Sequence, residues 1–192
     1  ASGAPLRVIG TLSDITGRRR TAQVLQDSLR DKEALLKEVH HRVKNNLQVI
    51  MSLLRLEGRR TVRSETRATL ADMQGRIASM ALLHESLYRS GTFASVDLAD
   101  YLHKVVQQAY GALTAPGSAV QLRQQLASVE IGMDQALPCG LLVNEMISNA
   151  LKHGFPNGLG GEVLIALEPV PGTPAWRLRV ADNGVGLPAG FT

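Results

Sequence analysis

The chain has 192 residues, 44% of them hydrophobic and 20% charged, with a net charge of +4. That length suits one ordinary domain with accessory elements or two small units, and the mixed charge excludes wholesale disorder. Three Tyr, three Phe and one Trp form no aromatic set interleaved with base, so a surface that stacks nucleic acid is excluded, and the single Cys139 rules out an intrachain disulfide.

The lone cysteine points to a reducing, cytoplasmic setting, and its apolar surroundings predict a buried small side chain rather than a reactive thiol. No apolar run approaches the ~18–20 residues that span a bilayer, and no signal peptide is present, so the sequence predicts a soluble piece without a membrane segment. The basic clusters Arg18–Arg20 and Arg59, Arg60 and Arg63 read as solvated helix faces.

In chain order, Leu6 to Ile15 reads as a β-strand after a turn. From Arg18 the pattern becomes helical. Ala22, Leu25, Leu29, Lys32, Leu36, Val39, Val43 and Asn46 follow a heptad seam, which predicts packing along a partner helix to about Leu56. Gly58 and the run Arg59 to Thr66 read as a turn. A second amphipathic helix carries Leu70, Met73, Ile77, Met80, Leu83 and Leu87 on one stripe and ends near Ser90. Two such antiparallel helices leave apolar surface that a second copy would cover, giving a four-helix bundle in a dimer.

Asp97 is placed to cap a helix from Leu98 to Leu113. Val120 to Leu126 alternates like a strand, and an apolar helix follows from about Gln135 to His153, with Pro138 near its first turn. After a glycine-rich loop, Glu162–Glu168 and Trp176–Ala181 read as two strands. The order helix, strand, helix, strand, strand predicts an α+β sandwich with helices on one face of a mixed sheet.

Three constellations carry chemistry. Glu38-Val39-His40-His41-Arg42-Val43-Lys44-Asn45-Asn46 places two adjacent histidines on the first long helix. Neighbouring residues point about 100° apart on a helix, which disfavours chelation by both rings. An imidazole nucleophile, neutral at pH 7 because its ordinary pKa is ~6.5, is the alternative. Glu38 and Asn45 share the face of His41, so a carboxylate there could orient the ring and accept its proton. Taken alone, the heptad is more often an ordinary solvated helix face.

The second constellation, Asn144-Glu145-Met146-Ile147-Ser148-Asn149-Ala150-Leu151-Lys152-His153, shows a carboxylate, an amide and an ammonium on one helix face. Such sparse hard-oxygen ligation suits Mg²⁺ completed by phosphates, and a lysine suits a phosphate. Here too a solvated surface is the commoner meaning, although asparagine sits poorly in mid-helix. The third, Asp182-Asn183-Gly184-Val185-Gly186, follows a strand directly. Its glycines permit close backbone approach to a ligand, and Asp182 could accept a hydrogen from an exocyclic amine such as that of adenine. It lacks the Gly-Lys-Ser/Thr of a Walker A loop.

Taken in order, the three resemble the H, N and G1 boxes of the sensor histidine kinases. The resemblance covers roughly residues 31–190 and is closest to the branch whose H box reads His-Arg-Val-Lys-Asn-Asn, a sister group of the HWE kinases. Trp176 is followed by Arg177 and Leu178 rather than by the Trp-x-Glu of the HWE branch itself. Val8 to Thr16 resembles the last strand of a PAS sensor domain.

The resemblance implies a helical-hairpin dimerisation and phosphoacceptor region followed by a partial Bergerat-type (GHKL) α/β sandwich ATP-binding domain. The expected divisions are a PAS strand at 1–16, a signalling-helix linker at 17–38, the phosphotransfer hairpin at 39–91 and the first part of the ATP-binding domain at 92–192. It implies His41 as phosphoacceptor, with His40 the runner-up. Arg42 stands where many relatives carry an acid, which leaves Glu38 as the nearest base. Asn45 occupies a position linked to phosphatase activity. Asn149 is implied as the principal Mg²⁺ ligand supported by Glu145, Lys152 as a phosphate contact and His153 as a nucleotide neighbour. Asp182 is assigned to the adenine amino group, with Gly184 and Gly186 shaping the wall.

ATP and Mg²⁺ are the implied cofactors, and a second copy and a response regulator receiver domain the implied partners. The family's ATP lid and second glycine box are not found before Thr192, which reads as a fragment that dimerises but binds ATP weakly or not at all. The alternative function is a non-catalytic dimeric scaffold with an incomplete nucleotide domain. An ATPase or serine kinase sharing the nucleotide fold ranks last, because a histidine-bearing hairpin has no purpose there.

Overall fold

The structure is a computed structural model describing residues 13–90, 95–115 and 117–187. Two compact units divide the chain, 1–38 and 39–192. The strand expected at Leu6–Ile15 falls mostly outside the described residues, and Ser13–Ile15 are not strand. Instead the Asp14 carboxylate accepts the Thr16 amide at 2.9 Å, which starts a helix and holds the Asp14 pKa below its ordinary value.

That helix, α1, spans Thr16–Arg60. It runs through Gly58 and past the predicted end near Leu56, because one glycine costs only about 1 kcal/mol in a helix. Arg59 and Arg60 in its last turn also complement the helix dipole. The turn is shorter than expected, and α2 (Ser64–Ser90) begins at once. The seam residues Leu25, Leu29, Leu36 and Val39 are all exposed.

On α2 the predicted stripe is only partly right. Leu83 and Leu87 are buried, but Met73 is 47% exposed. The buried side instead carries Ala78, Ser79, Ala81 and Ser86, small residues that let neighbouring helices approach.

Helix α3 (Leu98–Leu113) is capped as expected, the Asp97 carboxylate accepting the Ala99 and Asp100 amides at 2.7 and 3.3 Å. It buries Leu98, Tyr101, Leu102, Val105, Val106 and Ala109, the spacing of one helical face. Helix α4 (Met133–Asn149) starts earlier than predicted. Asp134 lies in its first turn rather than before it, and Pro138 is inside the helix, beyond the first turn. Residues Ala150–Gly154 then widen into a π-turn, so the regular helix stops at Asn149 instead of reaching His153.

Two short strands were not expected from the sequence. β1 (Ser95–Asp97) pairs antiparallel with β3 (Glu130–Gly132). The main sheet has the order β2-β4-β5, from β2 (Val120–Leu126), β4 (Gly161–Pro169) and β5 (Trp176–Asp182). β2 runs parallel to β4 with α4 in the crossover, and β4 and β5 form an antiparallel hairpin. The fold is therefore α+β with a mixed sheet. Val163, Ile165 and Leu167 of β4 join α3 and α4 in one core, from which α2 contributes Leu83 and Leu87.

Tyr101 ties the helices together. Its hydroxyl donates to the Ser79 carbonyl at 3.2 Å, and a Cβ on Gly140 would lie 2.0 Å from the same oxygen. Burial, then the nearby Cys139 thiol, pushes the Tyr101 pKa far above its ordinary value. Cys139 is partly buried, and burial raises its pKa too, in keeping with an unreactive thiol. No described helix is long and apolar enough to cross a membrane.

Candidate nucleotide and phosphoacceptor sites

The two histidines of the first constellation occupy different environments. His41 is exposed on α1, whereas His40 is half-buried. His40 Nδ1 lies 3.0 Å from His84 Nδ1 on α2, with ring centroids 5.3 Å apart. One ring must donate and the other accept, so the contact requires at least one neutral ring. Burial and then the charge of His40 lower the His84 pKa below its ordinary value. One turn further along α1, Lys44 donates to Glu85 of α2 at 2.9 Å. Glu38 and Asn45 keep their helical spacing to His41, and Asn45 is exposed.

His84 was missed by the sequence reading, though a signal existed. The hairpin turns at Thr61–Arg63, and His40 and His84 are equidistant from Val62. An antiparallel pairing reflected about that turn places them opposite each other.

The loop of the third constellation packs on Gly154, the residue that directly follows the second. The Val185 amide donates to the Gly154 carbonyl at 2.9 Å, and Asp182 Oδ1 accepts the Gly184 amide at 3.0 Å. A Cβ on Gly184 would lie 2.3 Å from the Gly154 carbonyl oxygen, so only glycine permits this approach. Gly186 has φ 74°, the left-handed region that favours glycine. Asn183 anchors the loop from the other side, its Oδ1 accepting the Glu162 amide at 2.7 Å. Asp182, Asn149 and His153 are solvent-exposed.

Glu145 of α4 and Lys152 of the π-turn after it are engaged with α2. Glu145 Oε2 accepts from Arg76 at 3.0 Å, and Lys152 is ion-paired with Asp72. Between these pairs Asn144 is buried against Gly75, where a Cβ would lie 3.1 Å from its Nδ2. A cavity of about 210 Å³ opens beside this contact, lined by Asp72, Gly75, Asn144, Glu145 and Ser148, with Met51 and Arg55 of α1. Residues 182–186 do not line it. The structure thus joins Gly154 to the 182–186 loop by direct contact, and turns Glu145 and Lys152 toward α2.

Glu145 and Asn149 offer a carboxylate and an amide oxygen four residues apart. That donor set fits Mg²⁺, which takes one or two protein oxygens and fills its remaining positions from phosphate and water.

Residues 38–113 match HisKA_2, a histidine kinase family. The sensor histidine kinase PdtaS of Mycobacterium tuberculosis is 34% identical over 186 residues, 94% of this chain and 35% of that protein. Blue-light-activated histidine kinase 2 of Erythrobacter litoralis is 28% identical, over 84% of this chain and 46% of that protein. Among solved structures, the histidine kinase domain of the Erythrobacter litoralis EL346 blue-light activated kinase aligns with a TM-score of 0.57 and 26% identity, covering 85% of this chain and 75% of that one. The chain spans about a third of the PdtaS proteins and less than half of the Erythrobacter kinase. The chain thus carries a HisKA_2 histidine kinase domain at residues 38–113 and is similar over most of its length to part of the sensor histidine kinases.

Proposed function

We propose that the chain is the phosphoacceptor hairpin and the first part of the ATP-binding domain of a two-component sensor kinase. In this reading the protein phosphorylates itself on His41 and passes the group to an aspartate of a response regulator receiver domain. The observation that best supports it is the hydrogen bond from Val185 to Gly154, which sets the Asp182 loop against the turn that follows α4.

Each residue has a role. Asn149 and Glu145 hold Mg²⁺, which when bound neutralises charge on the transferring phosphoryl group. Lys152 pairs with a phosphate oxygen and His153 borders the nucleotide. One Asp182 oxygen already accepts Gly184, and the carboxylate keeps lone pairs for the adenine amine. Gly184 and Gly186 keep the wall free of side chains. The His41 imidazole then attacks the γ-phosphorus. An N–P bond forms as the bridging P–O bond breaks, ADP leaves, and the ring proton passes to Glu38. Exposure favours His41 over His40, whose ring is occupied by His84. Asn45 faces the later hydrolysis of the phosphohistidine. The exposed seam of α1 suits a second copy of the chain.

The test is incubation of the full-length protein with Mg²⁺ and γ-labelled ATP. Acid-labile, alkali-stable label is expected, and Asn149→Ala and Asp182→Ala should each remove it without lowering the melting temperature. Full labelling of both variants would overturn this assignment. Absence of label from the unaltered protein would favour the scaffold alternative.

A further inference from the structure

We propose that α2 is an intramolecular latch that imitates the ligand of the α4 site, with Asp72 standing in for phosphate against Lys152 and Arg76 standing in for the metal against Glu145. The inference rests on the nucleotide reading above.

Charge complementarity carries it. Lys152, the group suited to an anionic phosphate, is instead paired with the Asp72 carboxylate. Glu145, the group suited to a cation, accepts from the Arg76 guanidinium at 3.0 Å. Asp72 and Arg76 are one turn apart on α2, so a single helix face presents an anion and a cation together. Neither Glu145 nor Lys152 can serve the latch and a nucleotide complex at once.

Packing agrees with the charges. Gly75 lies between the two latch residues and lets α2 approach until Asn144 is buried.

The docked position also keeps the site away from the acceptor. His40 meets α2 at His84, eight and twelve residues from Arg76 and Asp72. At ~1.5 Å per residue, the docked part of α4 sits about 12–18 Å along α2 from the level of the histidines. Transfer therefore needs α4 to leave these partners. Side-chain exposures of 56% for Arg76 and 43% for Glu145 make the pair weak enough for a ligand to displace.

The experiment measures binding of Mg²⁺ with a non-hydrolysable ATP analogue to the full-length protein by calorimetry. It compares the unaltered protein with Asp72→Asn/Arg76→Gln, which removes the mimicking charges, and with Gly75→Leu, which wedges α2 off Asn144. Both variants should bind about three- to tenfold more tightly, the scale set by two exposed ion pairs. In the unaltered protein the analogue should speed amide hydrogen exchange across residues 72–79. Measurable binding that is unchanged or weaker in both variants overturns the latch while leaving the nucleotide site standing. No binding by any of the three proteins overturns the nucleotide reading and the latch with it.

Discussion

His40 and His84 face each other across the α1–α2 hairpin with their Nδ1 atoms 3.0 Å apart. The Lys44–Glu85 ion pair lies one turn away on α1, and His41 and Arg42 follow directly on the chain. The pair cannot accept a second proton without setting two donors against each other.

Stability should therefore depend on acid. The native state holds the His84 pKa below the ordinary value of 6.5, so in the window beneath that value the unfolded chain binds a proton that the folded chain resists. Stability is fully present above pH 6.5 and falls as pH drops through the ordinary value toward the lower native one. Urea midpoints between pH 8 and pH 5 (conditions about the imidazole range) should decline in the unaltered protein and flatten in His84→Gln. An equally steep decline in the variant would refute the assignment.

Gly140→Ala should destabilise the fold. The new Cβ would meet the Tyr101 hydroxyl at 2.0 Å and ring carbons at 2.5 and 2.6 Å. Overpacking of this kind costs about 1–3 kcal/mol. Because ring carbons also clash, Tyr101→Phe should rescue it only in part. Calorimetric melting of the two single variants and the double variant measures the coupling.

Gly184→Ala should act on the loop and not on the core. Its Cβ would lie 2.3 Å from the backbone oxygen of Gly154, so the loop must lift off the π-turn. A loss of affinity for an ATP analogue with little change in melting temperature is expected. Gly186→Ala, at φ 74°, should add strain of about 1 kcal/mol or more without that separation. Equal effects of the two substitutions on affinity would contradict the proposed geometry.

Asp97→Ala should cost about 0.5–2 kcal/mol, the range for loss of a helix N-cap. The same carboxylate accepts the Ser128 hydroxyl at 2.7 Å, which argues for the upper part of that range. Urea unfolding checks it.

The elements with strong local signals were legible in the sequence. The apolar spacing of Leu98 to Ala109 and the Asp97 cap fix α3, and alternation in Val120–Leu126 fixes β2. β1 and β3, three residues each, exist through pairing with each other and carry no periodic pattern to read. Gly58 suggested a helix end because a local propensity was weighed without the basic final turn.

The site was legible as residue types and spacing, but its partners were not. Met73 and Leu70 drew attention to an apolar stripe on α2, whereas contact with α4 runs through Asp72, Gly75 and Arg76. Hydrophobic periodicity cannot register a face made of one glycine and two charges. The π-turn at Ala150–Gly154 was equally hidden, since the apolar spacing before it continues without a break, and the loop that packs on Gly154 lies some thirty residues further along the chain.

Mapping the modified residue decides whether His41 receives the phosphoryl group. After incubation with ATP and Mg²⁺, the full-length protein would be digested at neutral to alkaline pH and its phosphopeptides fragmented by electron transfer. A phosphoryl group on His41 is expected, absent from His41→Ala and retained in His40→Ala. A phosphoryl group on His40, with undiminished modification of His41→Ala, would contradict it.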